Sequence, residues 1–110
     1  MVDKYEFGVY RSIVNRNKWQ IEMKMYKIKE RVYHPYERYS TQYVDIDEEI
    51  CKYLNLTLST YIEQANKYGG KSELNPWIEK NIVLFNDKQS AKKFITKYLE
   101  SSVLPLLSLI

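Results

Sequence analysis

Cysteine and histidine are almost absent from this chain, since Cys51 is the only cysteine and His34 the only histidine in 110 residues. A single cysteine excludes an intrachain disulfide and argues against a thiolate zinc site. A single histidine excludes every metal or nuclease motif that needs two of them. We therefore expect no metal and no cofactor, and a reducing, cytoplasmic setting.

Glycine and proline are also scarce, with three of each, and no glycine-rich phosphate loop is present. The longest apolar stretch, Val103–Ile110, is too short to span a membrane and is interrupted by Pro105 and Ser108. The amino-terminal residues Met1–Glu6 do not resemble a signal peptide. These features predict a protein without a membrane partner.

The composition is that of an ordinary folded domain, with 45% apolar and 28% charged residues. A chain of this length cannot divide into two adequate cores, so we expect one compact domain over residues 1–110. The formal charge is +3, and the excess of lysine and arginine falls in residues 1–44. Any surface for phosphate should therefore belong to the first half of the chain.

An alternating apolar pattern opens the chain and predicts two strands. One face of the first strand carries Tyr5, Phe7, Val9 and Ile13, and Asn15-Arg16-Asn17 then favours a turn. The second strand carries Trp19, Ile21, Met23 and Met25 on one face. Because the apolar phase changes after Met25, we expect a β-bulge near that residue. The two strands should form an antiparallel hairpin.

The middle of the chain predicts two helices. Tyr39–Val44 fits a short third strand or an ordered loop, and the carboxylates of Asp45–Glu49 suit a helix amino terminus. Ile50, Cys51 and Leu54 would share the apolar face of that helix. Thr57 or Ser59 caps the second helix, and Gly69-Gly70 ends it.

The last third predicts a strand and a helix. Lys71–Pro76 has the composition of a polar connector, and Ile82–Phe85 that of a buried strand. Asn86 or Asp87 caps a final amphipathic helix. The expected fold is α+β: a small antiparallel sheet, made of the amino-terminal hairpin and a later strand, with about three helices packed on one face.

Three short segments, about a third of the chain, carry a family resemblance: Phe7-Gly8-Val9-Tyr10-Arg11, Asn17-Lys18-Trp19-Gln20-Ile21 and Phe85-Asn86-Asp87-Lys88-Gln89-Ser90-Ala91. Together they resemble DNA-binding domains with a three-stranded sheet and one helix, of the Apetala and phage integrase arm-binding types. The chain departs from both by about fifty residues inserted between the second and third strands. In those families the sheet face meets DNA, which implies contacts from Arg11, Arg16, Lys18, Lys24 and Lys27.

The segment from Arg31 to Tyr39 interleaves aromatic and basic residues. Such residues are enriched at protein interfaces, could stack single-stranded bases, or could simply fold inward. We expect a protein partner here, contacted by Arg31, Tyr33, Tyr36, Arg38 and Tyr39. The nucleic-acid alternative uses the basic hairpin, with Arg11, Arg16, Lys18, Lys24, Lys27 and Lys29, or the 47–70 segment, which has the length of a helix-turn-helix.

Catalytic patterns are weak, and we expect no catalytic residues. Glu22-Met23-Lys24 matches half of a metal-dependent nuclease site but equally suits the solvent side of a strand. Cys51 could pair with His34, although a cysteine on an apolar helix face is usually a buried, inert thiol. The carboxylates at 45–49 could bind a cation, but a helix amino terminus explains them.

The carboxyl-terminal residues are unusually apolar for the end of a chain. They should dock within the fold, on a second copy of the chain or on another protein. A homodimer would use Val103, Leu104, Leu106, Leu107, Leu109 and Ile110.

The sequence therefore favours a small non-enzymatic interaction protein that inhibits or modulates a partner by direct binding. Its size and its lysine-, asparagine- and isoleucine-rich composition suit a phage or mobile-element protein, so the expected partner is a host or defence protein such as a nuclease system. A nucleic-acid-binding module, for DNA or RNA, is the alternative.

Overall fold

The computed structural model describes residues 4–31 and 37–101, and the side chains of 5–26 and 41–101. The strands are β1 (Lys4–Arg11), β2 (Trp19–Arg31), β3 (Glu37–Val44), β4 (Gly70–Asn75) and β5 (Lys80–Phe85). The helices are α1 (Asp47–Leu54), α2 (Leu58–Lys67) and α3 (Lys88–Phe94), which a π-helical turn continues over Ile95–Leu99. The α+β fold expected from the sequence is confirmed.

The amino-terminal hairpin forms as the alternating pattern predicts. β1 and β2 pair antiparallel without interruption from Lys4 opposite Tyr26 to Arg11 opposite Trp19. The turn lies at the predicted asparagines, where Asn15 Oδ1 accepts a hydrogen bond from the backbone N–H of Asn17 at 3.1 Å.

Two details of the hairpin prediction are wrong. The irregularity in β2 falls between Ile28 and Glu30 in its pairing with β3, and Met25 stays fully buried in a regular ladder. The irregularity lies beyond the last described pair of β1 with β2, Lys4 opposite Tyr26, where the described pairing of β2 is with β3. Ile13, expected on the apolar face of the first strand, lies after the end of β1 and is 64% exposed.

The polar connector predicted at Lys71–Pro76 is instead the edge strand β4. It pairs antiparallel with β5 from Gly70 opposite Phe85 to Asn75 opposite Lys80. An edge strand is solvated along its length and does not need an apolar alternation, so the sequence pattern does not reveal it. The apolar run Ile82–Phe85 is buried throughout, as predicted, because β5 lies between two neighbours.

The sheet is forked at β2, because one edge of that strand serves two partners. β1 occupies one edge, while the other pairs with β5 only at Trp19 opposite Phe85 and with β3 from Met23 opposite Val44 onward. β5 and β3 therefore diverge on either side of the short stretch of β2 between them. We call this gap the fork.

The three helices cover one face of the sheet and close a single core. The core takes Ile21, Met23 and Met25 from β2 and Val83 and Phe85 from β5. β3 adds Val44. The helices and the π-helical turn contribute Ile50, Cys51, Leu54, Tyr61, Ala65, Ala91, Phe94, Ile95 and Leu99. Thr57 caps α2 and Asp87 caps α3, each accepting a backbone N–H from three residues further on.

Candidate interaction site

The aromatic and basic segment predicted to contact a protein partner lies largely outside the described residues. Tyr33 and Tyr36 belong to the undescribed stretch 32–36. The backbones of Arg31, Arg38 and Tyr39 lie on β2 and β3, with Arg31 opposite Glu37 and Arg38 opposite Glu30. The side chains of these three are not among those described, and the prediction stays open. The carboxyl-terminal residues 102–110 are also outside the described part.

Among the basic hairpin residues whose side chains are described, Arg11 and Lys24 lie on opposite faces of the sheet. Arg11 and Trp19 lie on the helix-covered face, where the guanidinium stacks on the indole with 4.8 Å from its carbon to the ring centroid. Lys24 lies on the opposite face, with its Nζ 5.2 Å from the ring centroid of Tyr43. Lys18 forms an ion pair with Glu73 at 2.6 Å.

The other basic hairpin residues add little to this picture. The backbone carbonyl of Arg16 accepts a hydrogen bond from Arg11 Nη1 at 2.8 Å. Lys27 and Lys29 lie on β2, but their side chains are not described. The predicted pair of helices is present between Asp47 and Lys67, with Tyr61 and Ala65 of α2 buried in the core.

Of the candidate catalytic residues, the structure describes Cys51, Glu22 and Lys24, and Lys24 lies opposite Glu6 in the β1–β2 ladder. Cys51 is 3% exposed, and burial raises the pKa of its thiol to about 12, so the thiol keeps its proton at neutral pH. His34 lies in the undescribed stretch. Within the described ranges no group of three or more potential metal ligands occurs, and no helix is long and apolar enough to span a membrane.

Exposed apolar side chains lie on the β1–β2 loop and on the β4–β5 hairpin, and two of them, Ile13 and Ile78, line the same notch. We call the set the end patch and define it as Ile13, Leu74, Trp77 and Ile78. Ile13 comes from the β1–β2 loop, and the other three come from the end of β4 and the turn that joins it to β5. Trp77 is 69% exposed. Large apolar groups exposed on the loops of a small domain are typical of interaction surfaces.

The turn that displays Trp77 is held in shape by local contacts. Asn75 is buried, and its Oδ1 accepts the backbone N–H of Trp77 at 3.0 Å. Glu79 adopts the left-handed conformation with φ of 54°, which costs free energy for a residue other than glycine. Lys80, directly after it, forms an ion pair with Glu48 of α1 at 2.9 Å. The exposed indole is therefore presented by an ordered turn.

Beside the end patch, a notch of about 110 Å³ opens at the fork. Ile13, Ile46 and Ile78 supply its aliphatic surface. Polar groups come from Gln20 on β2, Asp45 just after β3 and Asn81 on β5. Of the described residues that line it, none is basic.

Gln20, which lines this notch, has a buried polar atom without a partner. Its side chain is only 1% exposed, and its Nε2 donates a hydrogen bond to the hydroxyl of Tyr10, its cross-strand neighbour. The amide oxygen Oε1 is buried and has no hydrogen-bond partner. Leaving a buried acceptor unpaired costs about 1–3 kcal/mol, so such atoms are rare in native proteins and point to a missing partner.

Tyr10 fixes which end of the Gln20 amide is unpaired. Burial, followed by the negative charge of Asp45, raises the pKa of Tyr10, so the phenol keeps its proton. That proton is attracted to the Asp45 carboxylate, which leaves the phenol oxygen free to accept from the Gln20 amide. The amide oxygen is then the end without a partner.

Asp47 closes the fork from the helix side. Continuing the register of Trp19 with Phe85 would set Val83 opposite Ile21, but the N–H of Val83 donates instead to Asp47 Oδ2 at 2.6 Å. The side chain is 2% exposed, and burial raises the pKa of the carboxyl to about 7. A carboxyl side chain thus takes the place of a backbone acceptor where β5 leaves β2.

Sequence reasoning missed the end patch, Gln20 and the burial of Asp47. Trp77 and Ile78 directly follow Asn75-Pro76, and two large apolar residues inside a turn signal could have marked the end patch. Gln20 alternates with apolar residues as any solvent-facing strand residue does, and Asp47 sits in an ordinary acidic first turn. Neither residue carries a signal that could have revealed its burial.

Comparison with protein-family models, with curated proteins and with solved structures gave no match to this chain. The partial resemblance to sheet-and-helix DNA-binding domains therefore gains no support from these comparisons.

Proposed function

We propose that this protein is a non-enzymatic binding protein that inhibits or modulates a partner protein by covering part of its surface. The observation that carries the proposal is the end patch, four exposed large apolar residues on the ordered β1–β2 loop and β4–β5 hairpin. Tryptophan is among the residues most enriched at the energetic centres of interfaces. A host or defence protein is the class of partner that the composition favours.

Several contacts support a preformed binding surface. Lys18 in the β1–β2 loop pairs with Glu73 on β4, and Lys80 on β5 pairs with Glu48 on α1. These contacts join the elements that carry the end patch to their neighbours. Loops held in this way lose little conformational entropy on binding, so more of the contact free energy appears as affinity.

Affinity capture with matched variants tests the proposal. The tagged protein is incubated with lysate of the source cells, with and without nuclease. The patch variant carries Trp77→Ser and Ile78→Ser, and the control carries Tyr43→Ser and Tyr53→Ser, which remove two exposed tyrosines elsewhere. We expect one stoichiometric protein that resists nuclease and high salt to bind the wild type and the control but not the patch variant.

Two outcomes would overturn the proposal. A protein captured equally by the patch variant would place the interface elsewhere. Recovery of nucleic acid alone, lost as the salt concentration rises, would favour the nucleic-acid alternative, because phosphate contacts weaken steeply with salt. Circular dichroism of both double variants confirms beforehand that they fold.

A further inference from the structure

We infer that the notch at the fork binds a lysine or arginine side chain of the partner protein. This inference rests on the proposed function and adds the chemistry of one contact. The notch lies beside the end patch and shares Ile13 and Ile78 with it, so a partner that covers the patch also covers the notch. The partner side chain that enters the notch must complement the residues that line it.

The notch carries one carboxylate, no basic group among its described lining residues, and the side-chain amides of Gln20, Asn75 and Asn81. Gln20 contributes the buried amide oxygen without a partner. Asp45 contributes a carboxylate that forms no ion pair with a described lysine or arginine. A cationic N–H donor supplies the counter-charge of Asp45, and it reaches the Gln20 oxygen once that side chain turns toward the notch, since the oxygen has almost no accessible surface in this structure. Hydrogen bonds from ammonium or guanidinium groups to such oxygens are the strong ones. A hydroxyl or amide ligand would leave the carboxylate without a counter-charge.

The aliphatic surface suits the stem of the same side chain. Lysine and arginine carry three or four methylene groups that pack on apolar surface while the charged end reaches polar partners. Ile13, Ile46 and Ile78 offer that surface around the acceptors. A water molecule needs roughly 10–15 Å³ of such space, so about 110 Å³ holds several waters or the outer part of one long side chain.

The geometry argues against a divalent cation as the occupant. The described part of the chain has no cluster of three or more histidine, cysteine or acidic side chains that could hold one. An organic cation needs only directed acceptors and an apolar surface, and the notch has both.

A titration with small probes tests the inference without any partner. n-Butylguanidinium represents the arginine side chain, and n-pentanol is the uncharged control of similar length. Binding is followed by NMR through the side-chain amides of Gln20 and Asn81 and the methyl groups of Ile13 and Ile78. We expect saturable shifts at these groups with the cation, and at least tenfold weaker binding of the alcohol.

Two variants separate the notch from general attraction of cations to the protein. Asp45→Asn removes an exposed carboxylate and should weaken the binding of n-butylguanidinium about fivefold. Glu63→Gln removes an exposed carboxylate on α2 and should leave it unchanged. Gln20→Met removes the unpaired oxygen and should abolish the preference for the cation over the alcohol.

The inference is overturned if pentanol binds as well as the cation, if shifts spread over many carboxylates, or if Asp45→Asn binds normally. Absence of any saturable shift at the notch would overturn it as well. These failures leave the capture experiment untouched, since that depends on the end patch. Conversely, the proposed function alone would be contradicted if the probe bound saturably at the notch while the patch variant captured the same proteins as the wild type.

Discussion

The buried carboxyl of Asp47 should make the stability of this protein depend on pH in an unusual direction. Burial raises its pKa from 3.8 to about 7 in the folded protein. Between these values the unfolded chain has lost the proton that the folded protein keeps, so unfolding becomes easier as the pH rises. The stability that the neutral carboxyl contributes is complete below pH 3.8, falls with rising pH and is lost above about pH 7.

The magnitude follows from the width of this interval. Each pH unit inside it changes the free energy of unfolding by about 1.4 kcal/mol. From pH 5 to pH 8 the Asp47 carboxyl should therefore remove roughly 3 kcal/mol, an appreciable share of the stability of a small domain. Asp47→Asn keeps an oxygen that can accept the N–H of Val83 and removes the titration.

Urea unfolding of the wild type and of Asp47→Asn is measured at pH 5 and at pH 8. The difference between the two proteins isolates the Asp47 carboxyl, because the titrations of all other groups cancel. We expect the variant to gain about 3 kcal/mol relative to the wild type between pH 5 and pH 8 and to be the more stable protein at pH 8. The exposed-acid control Glu63→Gln should show no such change. An equal difference at both pH values for Asp47→Asn would refute the reasoning, since the carboxyl would then titrate as in the unfolded chain.

Three further substitutions test the packing. Tyr61→Phe removes a fully buried hydroxyl that lies beside the Asp47 carboxyl without a hydrogen bond of normal geometry, so urea unfolding should show it neutral or about 1 kcal/mol stabilising. A loss above about 1.5 kcal/mol would show that the hydroxyl bonds Asp47. Gly70→Ala would bring a Cβ within 2.7 Å of Val83 Cγ1. Because this contact is too close, a thermal melt should report about 1–3 kcal/mol of destabilisation. An unchanged melting temperature would contradict this packing. Glu79→Gly removes the cost of a left-handed backbone at a residue other than glycine, so the same melt should show it neutral or stabilising by up to about 1 kcal/mol. A clear loss of stability would show that no strain is stored at this position.

The parts of the fold that could be predicted are those whose residues carry their own signal. The unbroken apolar run Ile82–Phe85 marks a buried strand, and Asp87 is a recognisable helix cap. β4 could not be predicted, because an edge strand gains its structure from the neighbour it pairs with and not from its own side chains. A bulge in β2 is expected near Met25 but lies between Ile28 and Glu30, beyond the last described pair of β2 with β1.

The candidate site was beyond sequence reasoning for a related reason. The notch exists because β3 and β5 leave β2 on either side of the fork, and pairing partners of this kind are set by tertiary structure. The unpaired oxygen of Gln20 follows from the packing of Tyr10 across the strand. Only the exposed Trp77 could have been suspected from its place in a turn.

Site-specific photo-crosslinking tests the central claim, that the end patch contacts a partner protein, most directly. A photoreactive phenylalanine analogue is placed at position 77 in one variant and at the exposed position 43 in another, and each is irradiated in lysate of the source cells. The account predicts one cross-linked protein species from position 77 and none from position 43. Equal cross-linking from both positions, or cross-links from position 77 only to nucleic acid or to a second copy of the chain, would contradict it.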